Sequence, residues 1–408
     1  MSPHLPRRLV IGLAFSMIGY AVAAGAAEEP RAAPSSQPAC LHPAAWVMLE
    51  GERLRPASAG AVLTEMARRD VVLLGEHHDQ DDDHHWQVHS LAALQAQRPN
   101  MVIGFEMFPR RVQPVLDRWV KGELTVKQFL EESDWDKVWN MPAELYLPLF
   151  QFARINRIPM VALNVDQKFS KAILHKGWDD VPAADREGVG RAAPPSEAYL
   201  DFLLDIYRRH PSLSRKDGGK PNKTDPGFRR FVESQTVWDR AMAEALARQA
   251  AAGRGKEKPL VVGIMGSGHI RYGYGVPHQL RDLGIKKVGT LLPMAADTDC
   301  KDIRAGLADA LFAMPKSAMA MPEPPRLGVR LEQGEDGVRI AEVMANSLAE
   351  RSGLKRGDHL LEVAGLPARK ATLVTSSIRQ QPAGSWLPLR VRRGGETLEL
   401  VVKFPPGP

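Results

Sequence analysis

The chain has 408 residues, of which 44% are hydrophobic and 25% charged. Those are the proportions of a soluble globular protein with room for two or three domains, and beyond the N-terminal region no segment is apolar for long enough to cross a bilayer. The net charge of +6 is spread out, and the densest basic run, Arg208 to Arg230, has only Phe228 as an interleaved aromatic. Nucleic acid is therefore not an expected partner, and the Gly, Pro and Ser in that run predict a mobile surface loop.

In chain order, the first 26 residues predict a secretory signal peptide. MSPHLPRR is a positive n-region, LVIGLAFSMIGYAVAAGA an apolar h-region, and Ala24-Gly25-Ala26 an A-x-A cleavage site. An uncleaved anchor is the alternative. Cys40 lies well beyond the h-region, so no lipid-accepting cysteine follows it. The mature chain is expected in the periplasm or otherwise exported, soluble and not a lipoprotein. Residues 27–40 are Pro- and Ala-rich and predict a disordered leader.

Residues 41–312 alternate apolar runs with helical patterns. VVLLGE (71–76), MVIGFEMF (101–108), PMVALNV (159–165), PLVVGIMG (259–266) and KKVGTLLPM (286–294) are continuous apolar runs, as in strands buried on both faces. SLAALQAQ, RVQPVLDRWV, YLPLFQFARI and TVWDRAMAEALARQAA lie between or beside them. This pattern predicts an α/β domain with a mainly parallel sheet flanked by helices, carrying a helical subdomain over about 167–235. A Pro-punctuated linker follows at 313–325. Residues 326–405 form a small β-rich unit of short, often alternating runs, broken by two helical stretches, SLAERSG and TLVTSSIRQ. Cys40 and Cys300 are the only cysteines. In an oxidising compartment they can pair and clip the ends of the main domain; two separate buried thiols are the alternative.

Each predicted strand of the main domain ends in polar residues. These are Glu76, His77 and His78, then Glu106, then Asn164, then Ser267 and His269. Carboxyl ends of parallel strands share one edge, where ligands bind, so Glu76, His78, Glu106, Asn164 and His269 are expected to converge. One such residue alone is ordinarily solvated or hydrogen-bonded. Together, two carboxylates and two imidazoles suit a divalent transition metal or general acid–base work. In the stretch LLGEHHDQDDDHHWQVH, Asp81 to Asp83 are expected to cap a helix. His85 and His89 share a face of that helix, and their role is left open. No zincin, P-loop, dinucleotide or nucleophile-elbow pattern is present.

VVLLGEHH, HHWQ, GFEMF followed by RRVQ, ALNV, FVESQTVWDRAMA and MGSGHIRYGYGVP occur in the order seen in the ChaN family of haem-binding proteins, within the Tiki superfamily. The resemblance covers about residues 45–295. It implies an α/β sheet domain with a smaller helical region, and a role in haem or iron acquisition. The superfamily's paired G-x-x-H motifs would be Gly75 to His78 and Gly266 to His269, with Glu76 and Glu106 as its glutamates. A haem iron needs an axial His or Tyr, with cationic partners for the propionates. Candidates are His78, His269, Tyr272 and Tyr274, with Arg110 or Arg111. The rival reading implied by superfamily relatives is a metal-dependent hydrolase, with the metal on His78, His269 and a carboxylate, and Glu76 or Glu106 as base. A homodimer sharing one haem site is left open.

The C-terminal unit resembles a PDZ domain. Arg326-Leu327-Gly328-Val329 looks like the carboxylate-binding loop, and GLKRGDHLLEVAG (353–365) like the bacterial signature, with Ala364 replacing the usual Asn. The resemblance implies that a peptide or protein C-terminus adds as a strand, its carboxylate held at Leu327, Gly328 and Val329.

Overall fold

The computed structural model describes residues 40–51, 53–139, 141–209, 221–253, 258–315 and 325–406. The signal peptide, the leader before Cys40 and residues 210–220 of the basic run expected to be a loop lie outside these residues, while the two ends of that run, at Arg208-Arg209 and from Pro226 on, are helical rather than loop. Among the described residues no helix is long and apolar enough to cross a membrane. The chain forms two units, Met1–Ser317 and Ala318–Pro408.

The first unit contains strands β1 (Trp46–Glu50), β2 (Arg53–Ala57), β3 (Val71–Glu76), β4 (Met101–Pro109), β5 (Met160–Asn164), β6 (Leu260–Gly266), β7 (Val288–Ala295) and β8 (Ala310–Met314). Its helices are α1 (Ala59–Ala67), α2 (Asp81–Gln97), α3 (Gln113–Lys121), α4 (Val126–Glu132), α5 (Trp135–Val138), α6 (Ala143–Ile155), α7 (Gln167–Lys176), α8 (Glu197–Arg209), α9 (Pro226–Ala251) and α10 (Val276–Asp282). The sheet order is β2-β1-β8-β7-β3-β6-β4-β5. Strands β8 to β5 along this order are parallel neighbours, while β1 joins β8 and β2 antiparallel.

The five apolar runs of the sequence are β3 to β7. Strands β1, β2 and β8 escape such a reading because β1 and β2 are short and β2 is largely exposed, so neither has a long apolar run. The last two residues of β8 fall in the stretch read as linker. Side chains alternate across the central strands. Val72, Leu74, Ile103, Phe105, Val262 and Ile264 pack with α1, α2, α3 and α6 residues such as Met66, Leu91, Leu116 and Leu149. Val71, Leu73, Val102 and Val261 pack on the other face with Met242 and Leu246 of α9 and Leu280 of α10. The sheet is thus covered on both sides. The interval expected to be a helical subdomain carries α7, α8 and the start of α9, closed by Tyr199, Leu203, Tyr207, Phe228 and Phe231.

The second unit is an antiparallel sheet of order β14-β13-β11-β10-β9. Its strands are β9 (Val329–Gly334), β10 (Gly337–Val343), β11 (His359–Val363), β12 (Leu366–Pro367), β13 (Trp386–Arg393) and β14 (Glu396–Lys403), with α11 (Leu348–Arg351) and α12 (Ala371–Arg379). Val338, Ile340, Leu360, Val374, Ile378, Leu389 and Val391 make its core.

Cys40 and Cys300, 260 positions apart in the sequence, are disulfide-bonded, with Cα atoms 5.5 Å apart. Mass spectrometry of the unreduced protein is expected to find no free thiol, and Cys300→Ser to cost about 2–5 kcal/mol in denaturant unfolding. In the second unit, Ala364 (φ 52°) and Gly365 (φ 76°) form the two-residue turn between β11 and β12. Left-handed backbone is unfavourable for Ala and tolerated by Asn. Ala364→Asn is therefore expected to raise stability by about 0.5–1 kcal/mol, read as a shift in the urea midpoint.

Candidate functional site

Strands β3, β6 and β4 are consecutive in the sheet and parallel, so their carboxyl ends lie side by side, with Glu76 opposite Gly266. Alternation then sends the two glutamates apart. Glu76 falls on the side of Val72 and Leu74 and meets α2 and α6, while Glu106 falls on the side of Val102 and meets α9.

Glu76 is almost fully buried. Its Oε1 accepts from His78 Nδ1 at 2.8 Å and from the Tyr146 hydroxyl at 2.9 Å. Its Oε2 accepts from Gln87 Nε2 at 3.0 Å and lies 3.4 Å from His84 Nδ1. Burial by itself would raise this carboxyl, but His84 and His78 outweigh it and hold Glu76 well below the usual carboxylate range. Burial opposes charge on both imidazoles too; the Glu76 carboxylate prevails and raises His84 and, with Glu106, His78.

Glu106 is also fully buried. Its Oε2 accepts from the Gly266 amide at 2.6 Å, and its Oε1 stands 3.4 Å from His269 Nε2. His269 Nδ1 donates to Asp239 Oδ1 at 2.6 Å, and the Tyr199 hydroxyl donates to Asp239 Oδ2 at 2.7 Å. Burial disfavours the imidazolium, yet Glu106 and Asp239 raise the His269 pKa to about 10. Burial opposes ionisation of Glu106, and the His269 charge nonetheless lowers it. At Asp239 burial prevails and the carboxyl is raised.

His78 joins the two halves across the strand edge. A Cβ on Gly266 would stand 2.8 Å from His78 Cε1 and 3.7 Å from Glu106 Oε2, so only glycine leaves room for the imidazole there. Glu76, His78, Glu106 and His269 are therefore brought together as the sequence suggests. Asn164 reaches only the backbone: its Nδ2 donates to the Glu106 carbonyl at 2.9 Å and its Oδ1 accepts from the Val165 amide. Arg110 faces α9, with its guanidinium on the Glu187 and Ala241 carbonyls and 3.6 Å from Glu244. Arg111 pairs with Asp166. Neither arginine contacts the cluster. Tyr272 is half-buried at φ 58°, stacked on Tyr274, which in turn packs on Tyr199.

Sequence reasoning missed His84, Gln87, Tyr146, Asp239 and Tyr199. The signal available was an Asp within an apolar helical pattern, WDRAMA, which a helix buries only with a partner. The expected aspartate cap also needs correction. Gln80 is the N-cap of α2 and makes no side-chain cap bond. Asp81 to Asp83 occupy the first turn, and Asp83 Oδ2 instead accepts from the His77 amide and ring, each at 2.8 Å.

This donor set does not fit a bound metal. His269 Nδ1 is hydrogen-bonded to Asp239 and its Nε2 faces Glu106 Oε1 at 3.4 Å, while Glu76 accepts from His78, Tyr146 and Gln87. Among the described residues no three His, Cys, Asp or Glu side chains are placed to hold one ion. Where a metal on His78, His269 and a carboxylate was expected, the described residues form charge pairs, with Glu106 Oε1 left without a hydrogen-bond partner among them. What the arrangement can do is hold charge and relay a proton between Asp239, His269 and Glu106.

In the second unit, Leu327 is buried and its carbonyl accepts from the Ala349 amide. Gly328 (φ 77°) accepts from the Met344 amide, and a Cβ there would stand 2.3 Å from Ser347 Cβ. Val329 opens β9, an edge strand whose only sheet neighbour among the described residues is β10. Gln333 of β9 ties it to the start of α12, donating to the Arg369 carbonyl and accepting from the Ala371 amide.

The buried charges lead to two measurable results. Glu106→Ala leaves the imidazolium of His269 short of a counter-charge and is expected to cost about 3–5 kcal/mol. The His269 pKa near 10 lies above its ordinary 6.5. Its stabilisation is therefore complete below the ordinary value and lost as pH rises through the raised one. The gap between wild type and His269→Gln in urea midpoint is expected to be widest near about pH 6 and to shrink steadily toward about pH 10.

The family model described as "Haem-binding uptake, Tiki superfamily, ChaN" matches residues 62–280, and the PDZ domain model matches residues 325–404. No curated protein matches the chain. Among solved structures, one titled as cofacial heme binding to ChaN of Campylobacter jejuni is 20% identical, covers 66% of this chain and 96% of its own, and has a TM-score of 0.49. The HtrA-type protease AlgW with a decapeptide is 21% identical over 20% of this chain and 29% of its own, with a TM-score of 0.19. The HtrA3 PDZ domain bound to a phage-derived ligand is 24% identical over 19% of this chain and 82% of its own, with a TM-score of 0.18. The second unit is a PDZ domain, and the chain as a whole belongs to the ChaN family of haem-binding uptake proteins in the Tiki superfamily.

Proposed function

We propose that this is an exported haem-binding protein acting in haem or iron acquisition, with a PDZ domain that takes peptide C-termini. The observation that carries the first part is the family match over residues 62–280. The buried Glu/His cluster supports it as a scaffold: it ties α2, α6 and α9 to the strand ends. Export is supported by the signal-peptide pattern and by the Cys40–Cys300 pair, which belongs in an oxidising compartment. Bound haem would supply an iron centre whose ligand and surroundings the protein sets.

Haemin titrated into the purified mature protein is expected to give a saturable Soret shift. No shift, in a protein that elemental analysis shows to carry a metal ion lost on Glu106→Ala, would overturn the reading in favour of a metal-dependent hydrolase.

For the PDZ domain the supporting observation is the open edge of β9 directly after Gly328. Peptides ending in a free carboxylate are expected to bind at least about tenfold more tightly than their C-terminal amides. Gly328→Val, which forces a side chain onto Ser347, is expected to abolish that preference. Equal affinity for acid and amide in the wild type would refute the assignment.

A further inference from the structure

Strands β3 to β7 are parallel, so their amino ends share the edge of the sheet opposite the Glu/His cluster. Near the start of β5, helices α3 and α6 end beside each other. Arg157 Nη1 donates to the carbonyls of Val120 at 3.1 Å and Lys121 at 2.8 Å, and the Arg154 guanidinium lies 4.4 Å from the centre of the Trp119 ring. A polar cavity of about 350 Å³ opens there, lined by Lys121, Gly122, Gln151, Arg154, Ile155 and Arg157. The two guanidiniums converge over Gly122, where a Cβ would stand 3.8 Å from Arg154 Nη2 and 3.9 Å from Arg157 Nη1.

The lining holds three cations and no acid. Among the described residues none of the three forms an ion pair, and the nearest acid along the chain, Glu123, faces Arg118 at 3.6 Å. Arginines at helix ends ordinarily cap the last carbonyls, and Arg154 and Arg157 do so. Capping does not absorb the whole charge. Two helix C-termini present roughly half a negative charge each against three full positive ones, so about two charges stay uncompensated. Arg157 spends only Nη1 on carbonyls, and the Lys121 ammonium makes no hydrogen bond among the described residues.

The apolar part of the site is Ile155, which is 75% exposed, the most of any large hydrophobic residue described. One exposed isoleucine alone carries no meaning. An isoleucine set between unneutralised cations has the chemistry of a membrane-surface contact, with phosphates for the charges and the headgroup boundary for the side chain. A free phosphate ion would make no use of it. Farther along the same edge, Lys286 and Lys287 are exposed just before β7. The acids of that edge are occupied, Glu65 by Arg69 and Asp70 by Lys258.

We propose that this basic edge docks the main domain on an anionic phospholipid surface, with a lipid phosphate seated among Lys121, Arg154 and Arg157 and Ile155 inserted at the headgroup boundary. The inference is independent of the haem-binding reading. The contact is peripheral and reversible, since each cation near an anionic surface contributes roughly fivefold in partition.

The test is flotation of the full mature chain with phosphatidylcholine vesicles, with and without phosphatidylglycerol. Wild type is expected to float only with the anionic vesicles and to be released as salt rises. Lys121→Glu alters an exposed side chain, so the fold is kept, which circular dichroism checks. It reverses one charge at the surface and is expected to weaken flotation at least about tenfold. Ile155→Ser is expected to weaken binding while its salt dependence stays. Lys168→Glu makes the same charge change at the start of α7, on the opposite edge of the sheet, and is expected to float as wild type does. No flotation of wild type, or equal loss in Lys121→Glu and Lys168→Glu, overturns the proposal. Saturable binding of inorganic phosphate by calorimetry, lost in Lys121→Glu, in a protein that does not float, overturns the lipid as occupant and leaves a free oxyanion site.

Discussion

The central constraint in this protein is the cost of burying two carboxylates at the ends of apolar strands. An isolated ionised carboxylate does not survive in such a place without several compensating donors. Glu76 and Glu106 therefore recruit partners from around the sheet. Glu76 draws His84 and Gln87 from α2 and Tyr146 from α6. Glu106 draws the backbone of Gly266 and the ring of His269, which α9 braces through Asp239. Both helix layers are thereby fixed to one edge of the sheet by charge as well as by apolar packing.

That requirement changes the meaning of the histidine-rich motif. A Glu/His set at a strand edge has the composition of a metal site, but composition does not say whether the lone pairs are free. Here the imidazoles neutralise the carboxylates, and little is left over for an ion. The same helix that spends His84 on this balance leaves His85 and His89 exposed. The 100° step between adjacent helical residues is enough to separate a structural histidine from an available one.

The PDZ domain obeys a different logic. Its candidate site is an open strand edge beside a glycine in the left-handed region, so recognition would use backbone groups more than particular side chains. This is why the loop can be read from Leu327, Gly328 and Val329 alone, while the identity of a peptide partner cannot.

The sequence by itself determined the elements that depend on local pattern. Five of the six parallel strands appear as apolar runs, four of them ended by the polar residues that reach the edge, and the two modules separate at a Pro-rich segment. Glu76, His78, Glu106 and His269 were legible because each sits at the end of such a run. The hairpin strands β1 and β2 and the strand β8 were not, since short, partly exposed strands carry weak periodicity. Nor were Asp239, Tyr146 and Tyr199, whose roles depend on helices packing from 30 to 70 residues away from the groups they bond. Only the tertiary structure decided that Glu76 and Glu106 point to opposite faces, that Arg110 is committed to α9, and that Lys121, Arg154 and Arg157 line one cavity. Those facts depend on strand order and on the neighbours each side chain meets, and a linear pattern of hydrophobicity does not encode them.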